Sequence, residues 1–191
     1  MFITGGRILT MEGQEYENGT IQIENGKIIA LREGAIGDMP AGKEKKVLDV
    51  QGAWIMPGLI EAYCHMGITE EKKGMEGDDC NENVEPSTPH LRAVDAINSM
   101  DAAFDDAVRA GITSAMIGPG SSNVVGGQFA FVKTRGRCID YLIVKAPAAM
   151  KVAFGENPKV NYAGMGKSPV TRMAIAAILR EALFQAGQYK K

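Results

Sequence analysis

Only two histidines, His65 and His90, are present in this 191-residue chain. His65 closes the run Trp54-Ile55-Met56-Pro57-Gly58-Leu59-Ile60-Glu61-Ala62-Tyr63-Cys64-His65, which is apolar at first and polar at its end. That is the pattern of a buried parallel strand whose C-terminal end carries chemistry. Residues two apart on a strand share a face, so Tyr63 and His65 point one way and Cys64 the other, where it should pack under a helix. His90 sits in Thr88-Pro89-His90, inside a long polar stretch from Gly67 to Asn98. Loops of that length are uncommon unless functional, and a histidine in one is either an exposed or structural group or a contact for substrate.

Other segments resemble binding motifs and fail on spacing. Gly118-Pro119-Gly120-Ser121-Ser122-Asn123 starts like a dinucleotide-binding loop. Asn123 replaces the third glycine and no helix opens at Val124-Val125-Gly126-Gly127, so a tight glycine-permitted loop is the better reading. Lys133-Thr134 lacks the spacing of a phosphate loop. The carboxylates Glu76, Asp78, Asp79, Glu82 and Glu85 do not follow calcium-loop spacing and read as a solvated face.

The elements that must position these groups fall into two kinds. Thr20-Ile21-Gln22-Ile23-Glu24, Asn25-Gly26 and Lys27-Ile28-Ile29-Ala30-Leu31 predict a hairpin, because a type I′ turn needs two residues with positive φ. Short strands are expected at Gly6 to Thr10 and Lys46 to Val50, with a loop from Gly34 to Lys46. From about residue 55 the pattern becomes mixed. A helix is expected with Ser99 as N-cap, Met100, Ala103, Phe104, Ala107 and Val108 on one face, and Gly111 as its stop. Strands are expected at Ile112 to Ile117, Gln128 to Lys133, Tyr141 to Val144 and Ala149 to Phe154. A last helix is expected from Ser168-Pro169 to about Gly187. The sequence thus predicts an α/β fold, with a β-rich domain over residues 1–54 and an α/β domain over residues 55–191.

Composition limits the partners. The chain carries 21 Lys and Arg against 23 Asp and Glu, a net charge of −2. No basic field is available for nucleic acid or an anionic membrane surface. Cys64, Cys80 and Cys138 make no C-x-x-C pair and are odd in number, which fits free thiols in a reducing cytoplasm. No export signal or membrane span is evident.

The block Met56-Pro57-Gly58-Leu59-Ile60-Glu61-Ala62-Tyr63-Cys64-His65-Met66-Gly67, following a β-hairpin region, resembles the signature P-G-L-I-D-A-H-x-H of the metal-dependent amidohydrolase superfamily. The resemblance continues through Thr88-Pro89-His90-Leu91-Arg92-Ala93, Gly118 to Gln128, and Lys151-Val152-Ala153-Phe154-Gly155-Glu156-Asn157-Pro158. It looks like the branch related to imidazolonepropionase and covers the N-terminal half of such an enzyme. The resemblance implies the first strands of a composite β-sandwich, then part of a (β/α)8 barrel. It also implies hydrolysis of carbon–nitrogen bonds other than peptide bonds in a small amide or cyclic amide. A divalent metal, zinc above all, would activate water by bringing its pKa to about 7.

The same resemblance places His65 in a ligand position and Tyr63 where the family has its first histidine. Glu156 is preferred as the bridging ligand with Lys151 as its rival, and His90 is a candidate substrate contact. A phenol with pKa about 10 is a poor zinc ligand at neutral pH, so metal should bind weakly here or not at all. The later ligands and proton-handling residue of the family have no counterpart in these 191 residues, so no catalytic residue is assigned and the chain alone is expected to be inactive. Two rival readings stay open: a non-catalytic scaffold or assembly protein, and one half of a split enzyme. The latter would need a complementary C-terminal barrel half; apolar faces left open also predict a homo-oligomer.

Overall fold

A computed structural model of the chain describes residues 1–34 and 46–190. It divides into two units, Met1–Pro57 and Gly58–Lys191. Most of the loop expected over Gly34 to Lys46 lies outside the described residues.

The first unit is one five-stranded sheet. Its strands are β1 (Phe2–Leu9), β2 (Glu15–Glu24), β3 (Lys27–Glu33), β4 (Val47–Asp49) and β5 (Trp54–Ile55). Their order is β3-β2-β1-β4, with β5 also paired to β1. The β2–β3 hairpin turns at Asn25 and Gly26, with φ of 50° and 74°, the positive values that the Asn-Gly pair led us to expect. Phe2, Ile8 and Ile21 are buried, whereas Ile28 and Ile29 of β3 are exposed. At Gly6 a Cβ would stand 2.6 Å from the Ala53 carbonyl oxygen, so only glycine lets the chain leading into β5 come this close to β1.

The second unit is a four-stranded sheet in the order β6-β7-β8-β9: β6 (Leu59–Cys64), β7 (Ile112–Ile117), β8 (Val125–Lys133) and β9 (Ile143–Val152). Only β6 and β7 are parallel; β8 and β9 each return antiparallel. The sheet is open, with β6 and β9 at its edges. This corrects the reading of Trp54 to His65 as one buried strand. The run is divided at Pro57-Gly58, and β6, as an edge strand, leaves Leu59 and Ile60 50% and 63% exposed.

Helices α1 (Ala102–Arg109), α2 (Ile139–Leu142), α3 (Glu156–Gly164) and α4 (Arg172–Tyr189) complete the unit. Asp101, not Ser99, precedes α1, and Gly111 ends it at φ 82°. The strand expected from Tyr141 is instead the single turn α2, after which β9 runs unbroken from Ile143. The sequence reading missed α3; its Pro158 falls in the first turn, where a missing N–H costs nothing. Helix α4 starts at Arg172 because Thr171 caps it, its side chain accepting from Ala174 N at 3.1 Å. No helix among the described residues is long and apolar enough to cross a membrane.

The core joins Phe104 of α1 to Ala115 and Ile117 of β7, Ala130 and Val132 of β8, and Leu142 of α2. Ile68, Ala93 and Ile97 belong to it too, so the polar stretch from Gly67 to Asn98 is anchored at both ends by buried apolar side chains. Ile175 of α4 packs on Val124 and Val125 in a second cluster. A buried polar joint holds the loops together. Asn123 donates through Nδ2 to the Glu82 carbonyl (2.7 Å) and Thr88 Oγ1 (3.0 Å), and its Oδ1 accepts from Tyr162 of α3 (2.7 Å).

Tyr162 is fully buried, and burial, helped by Glu82 and Glu85, pushes its phenol up to about 12. The unfolded chain releases that proton near pH 10, so Tyr162 makes stability fall as pH rises from about 10 to about 12. Replacing Tyr162→Phe leaves the Asn123 oxygen buried without a donor. It is expected to cost about 1–3 kcal/mol at neutral pH and to flatten part of the alkaline loss. Urea denaturation at neutral and alkaline pH checks both; an unchanged midpoint and unchanged slope would contradict the joint.

Candidate functional site

The C-terminal end of β6 meets the end of β9 in a group of four side chains. Tyr63 is on β6 and His65 follows it, and their rings meet edge to face with centroids 5.1 Å apart. Phe129 of β8 packs on the other side of Tyr63 at 5.8 Å. Lys151, next to last in β9, donates from Nζ to the Tyr63 hydroxyl at 2.5 Å and lies 4.4 Å from the ring centroid. One contact is charge-assisted, the other a cation over an aromatic face.

Backbone decisions place each of them. The Nδ1 of His65 lies 2.7 Å from the Gly118 carbonyl oxygen. A carbonyl only accepts, so Nδ1 carries hydrogen and the neutral ring keeps its lone pair on Nε2. Gly118 N donates in turn to the Cys64 carbonyl at 3.2 Å, locking the loop after β7 onto the end of β6. A Cβ on Gly118 would run into the Phe129 ring. Opposite Lys151 in the β8–β9 register stands Gly127, and at Gly126 a Cβ would come within 3.0 Å of Lys151 Cγ. The glycine-rich segment therefore leaves room for Phe129 on one side and for the lysine stem on the other.

Cys64 does face away from Tyr63 and His65. It packs against the core with Sγ 3.7 Å from the Met116 carbonyl, and burial pushes its thiol up, which makes it a poor nucleophile. Beside the group lies a cleft of about 290 Å³ lined by Cys80, Asn81, Glu82, Arg92, Pro119 and Gly126 among others. Cys80 is buried and its thiol is pushed up by desolvation, while the charge of Lys151 acts on it in the opposite sense. Asp78, Asp79 and Asp95 add negative charge to the cleft wall, where Arg92 is bound to Asp95 by two hydrogen bonds of 2.9 and 2.6 Å.

The remaining sequence candidates are elsewhere. Glu156, preferred over Lys151 from the sequence, is the exposed first residue of α3, and the contacts of Tyr63 and His65 go to Lys151, Phe129 and Gly118. The structure thus groups the rival, Lys151, with His65, and does so because β9 runs on to Val152 before the chain turns into α3. His90 is exposed and lines a different groove, of about 700 Å³, against Ile178, Glu181, Gln185 and Tyr189 of α4. Sequence reasoning missed Phe129 and the joint at Asn123. Alternation along β8 was a signal for Phe129, but nothing local distinguishes Asn123 from an ordinary loop residue.

A divalent metal does not fit this donor set. Among the described residues no three His, Cys, Asp or Glu side chains come close enough together to hold one. His65 supplies a single free nitrogen, and its strand neighbour is a phenol already engaged by an ammonium.

No family model matches the chain. It is similar to an amidohydrolase from Thermotoga maritima MSB8 whose crystal structure superposes with a TM-score of 0.86 at 33% identity, over 99% of this chain and 48% of that one. It is 29% identical over 185 residues to amidohydrolase tasK of Hapsidospora irregularis, which covers 89% of this chain and 18% of that protein. It is 36% identical over 73 residues to a 5-methylthioadenosine/S-adenosylhomocysteine deaminase of Symbiobacterium thermophilum, or 36% of this chain and 16% of that enzyme. The chain therefore spans under half the length of each of these relatives.

Gly118→Ala is expected to cost about 1–3 kcal/mol by forcing Phe129 from its seat. It should also shift the ring resonances of His65, whose anchor is the Gly118 carbonyl. Urea denaturation and histidine NMR check this, and a variant with wild-type stability and unmoved His65 signals would refute the role given to this glycine.

Proposed function

The chain belongs to the amidohydrolase superfamily, and on that premise we propose that it forms the N-terminal part of a hydrolase that opens carbon–nitrogen bonds, other than peptide bonds, in a small amide or cyclic amide. The likeness to the Thermotoga amidohydrolase over 99% of the chain supports reading the parallel pair β6 and β7 as the start of a (β/α)8 barrel. The observation that carries the function is the meeting of Tyr63, His65 and Lys151 at strand ends beside a cleft.

The resident groups suggest how a carbonyl would be handled. After its bond to Tyr63, the Lys151 ammonium keeps two N–H donors. An amide oxygen placed on them has its carbon polarised toward water, and N–H groups of the same ligand would face the acidic cleft wall. Nε2 of His65 is a base in the same group that could accept the proton of attacking water. Turnover requires the strands that close the barrel, contributed by this polypeptide or by a complementary half. A scaffold role is the second reading, favoured by one observation: the Tyr63 hydroxyl is engaged by Lys151, at a position that the signature resemblance reads as a ligand.

Titration of the chain with acetamide and with pyrrolidone, followed by NMR, tests the proposal. Saturable shifts at Tyr63, His65 and Lys151 are expected, weakened about tenfold or more in Lys151→Met, the loss expected for a charged hydrogen bond. Shifts confined to other surfaces, or none, would leave the scaffold reading in place.

A further inference from the structure

Lys151 is a half-buried cation without a matching anion. Among the described residues the ion pairs are Arg7 with Glu15 and Glu17, Arg92 with Asp95, and Arg109 with Asp106; none includes Lys151. Its one hydrogen bond goes to a neutral hydroxyl, and its stem is seated beside Gly126, which also lines the neighbouring cleft. An ammonium held this way is fixed in position while two of its three donors have no protein partner among the described residues. It also lies against Tyr63, the side chain that stands where the amidohydrolase signature has its first metal-binding histidine.

We propose that Lys151, held by Tyr63, is the resident cation of this mouth: it takes the carbonyl or carboxylate oxygen of a ligand directly, and the pair closes the place to a divalent metal ion. The inference deepens the hydrolase reading and rests on it for the ligand class. The argument is one of donors and charge. A divalent ion beside His65 would need further lone pairs, and the neighbouring side-chain oxygen, that of Tyr63, already accepts a hydrogen bond from the lysine. The ion would also face the lysine's own positive charge across a few ångströms, and like charges at that distance repel strongly where water is partly excluded. An oxygen-bearing ligand meets the opposite situation, two N–H donors without a protein partner among the described residues and a positive charge.

Two titrations of the whole chain decide the matter, each monitored by calorimetry and by NMR of the Lys151 ammonium, with circular dichroism to confirm that every variant folds. Zinc chloride is the metal probe and sodium acetate the oxygen probe. Wild-type chain is expected to take up no stoichiometric zinc and to give a saturable acetate response that Lys151→Met abolishes. Tyr63→His combined with Lys151→Glu is expected to raise zinc affinity at least about tenfold, the size of effect that orienting groups around a metal already have. One equivalent of zinc bound by wild type and lost in His65→Ala would overturn the inference and leave the hydrolase reading standing. Failure of the double variant to gain zinc, or silence of Lys151 toward acetate, would overturn it too. Zinc refused and acetate bound, with acetamide and pyrrolidone ignored, would uphold the resident cation and remove the hydrolase reading instead.

Discussion

The buried amide of Asn123 is the constraint on which the second unit's working end depends. A buried amide must find partners for its oxygen and nitrogen, and here three partners come from two separate segments. They are the Glu82 carbonyl and Thr88 hydroxyl of the long excursion, and Tyr162 of α3. Thr88 passes the connection on, donating to the Val125 carbonyl at the start of β8. One side chain thereby fixes the loop after β7 relative to β8, and with it the Gly118 carbonyl that orients His65. An apolar residue in its place would leave several buried groups unpaired, each a larger loss than a single hydrogen bond is a gain.

Edge position explains why the mouth is built as it is. β6 and β9 flank the sheet, so the ends that carry Tyr63 and Lys151 are reached from opposite sides and joined over Phe129. The joining contact is a charged donor on a phenol, which holds direction without neutralising the charge. The same edge position leaves Leu59, Ile60 and Val144 exposed as apolar surface.

Much of this was legible in the sequence because the signals were local. Asn25-Gly26 specifies its turn through two positive φ values, and Gly111 marks the end of α1 for the same steric reason. The opposite orientations of His65 and Cys64 follow from strand geometry alone. What failed depended on distant packing. The short α2 and the helix α3 have no strong periodicity, and Ile68, Ala93 and Ile97 gave no sign that a polar stretch would be pinned to the core. The contact of Lys151 with Tyr63 was not legible because it turns on where β9 ends, which the β8 register decides. The resemblance implied part of a parallel barrel, yet β8 and β9 turn back antiparallel, as short loops between neighbouring strands allow.

The coupling between Tyr63 and Lys151 tests the account most directly, because the lysine can act as the site's cation only if the phenol holds it. A double-mutant cycle on stability with Tyr63→Phe and Lys151→Met isolates that interaction. The account predicts a favourable coupling of about 0.5–1 kcal/mol, reduced from the value for a buried charged hydrogen bond by partial exposure to water. Additivity of the two substitutions within about 0.3 kcal/mol would show that the side chains do not act as a unit, and would contradict it.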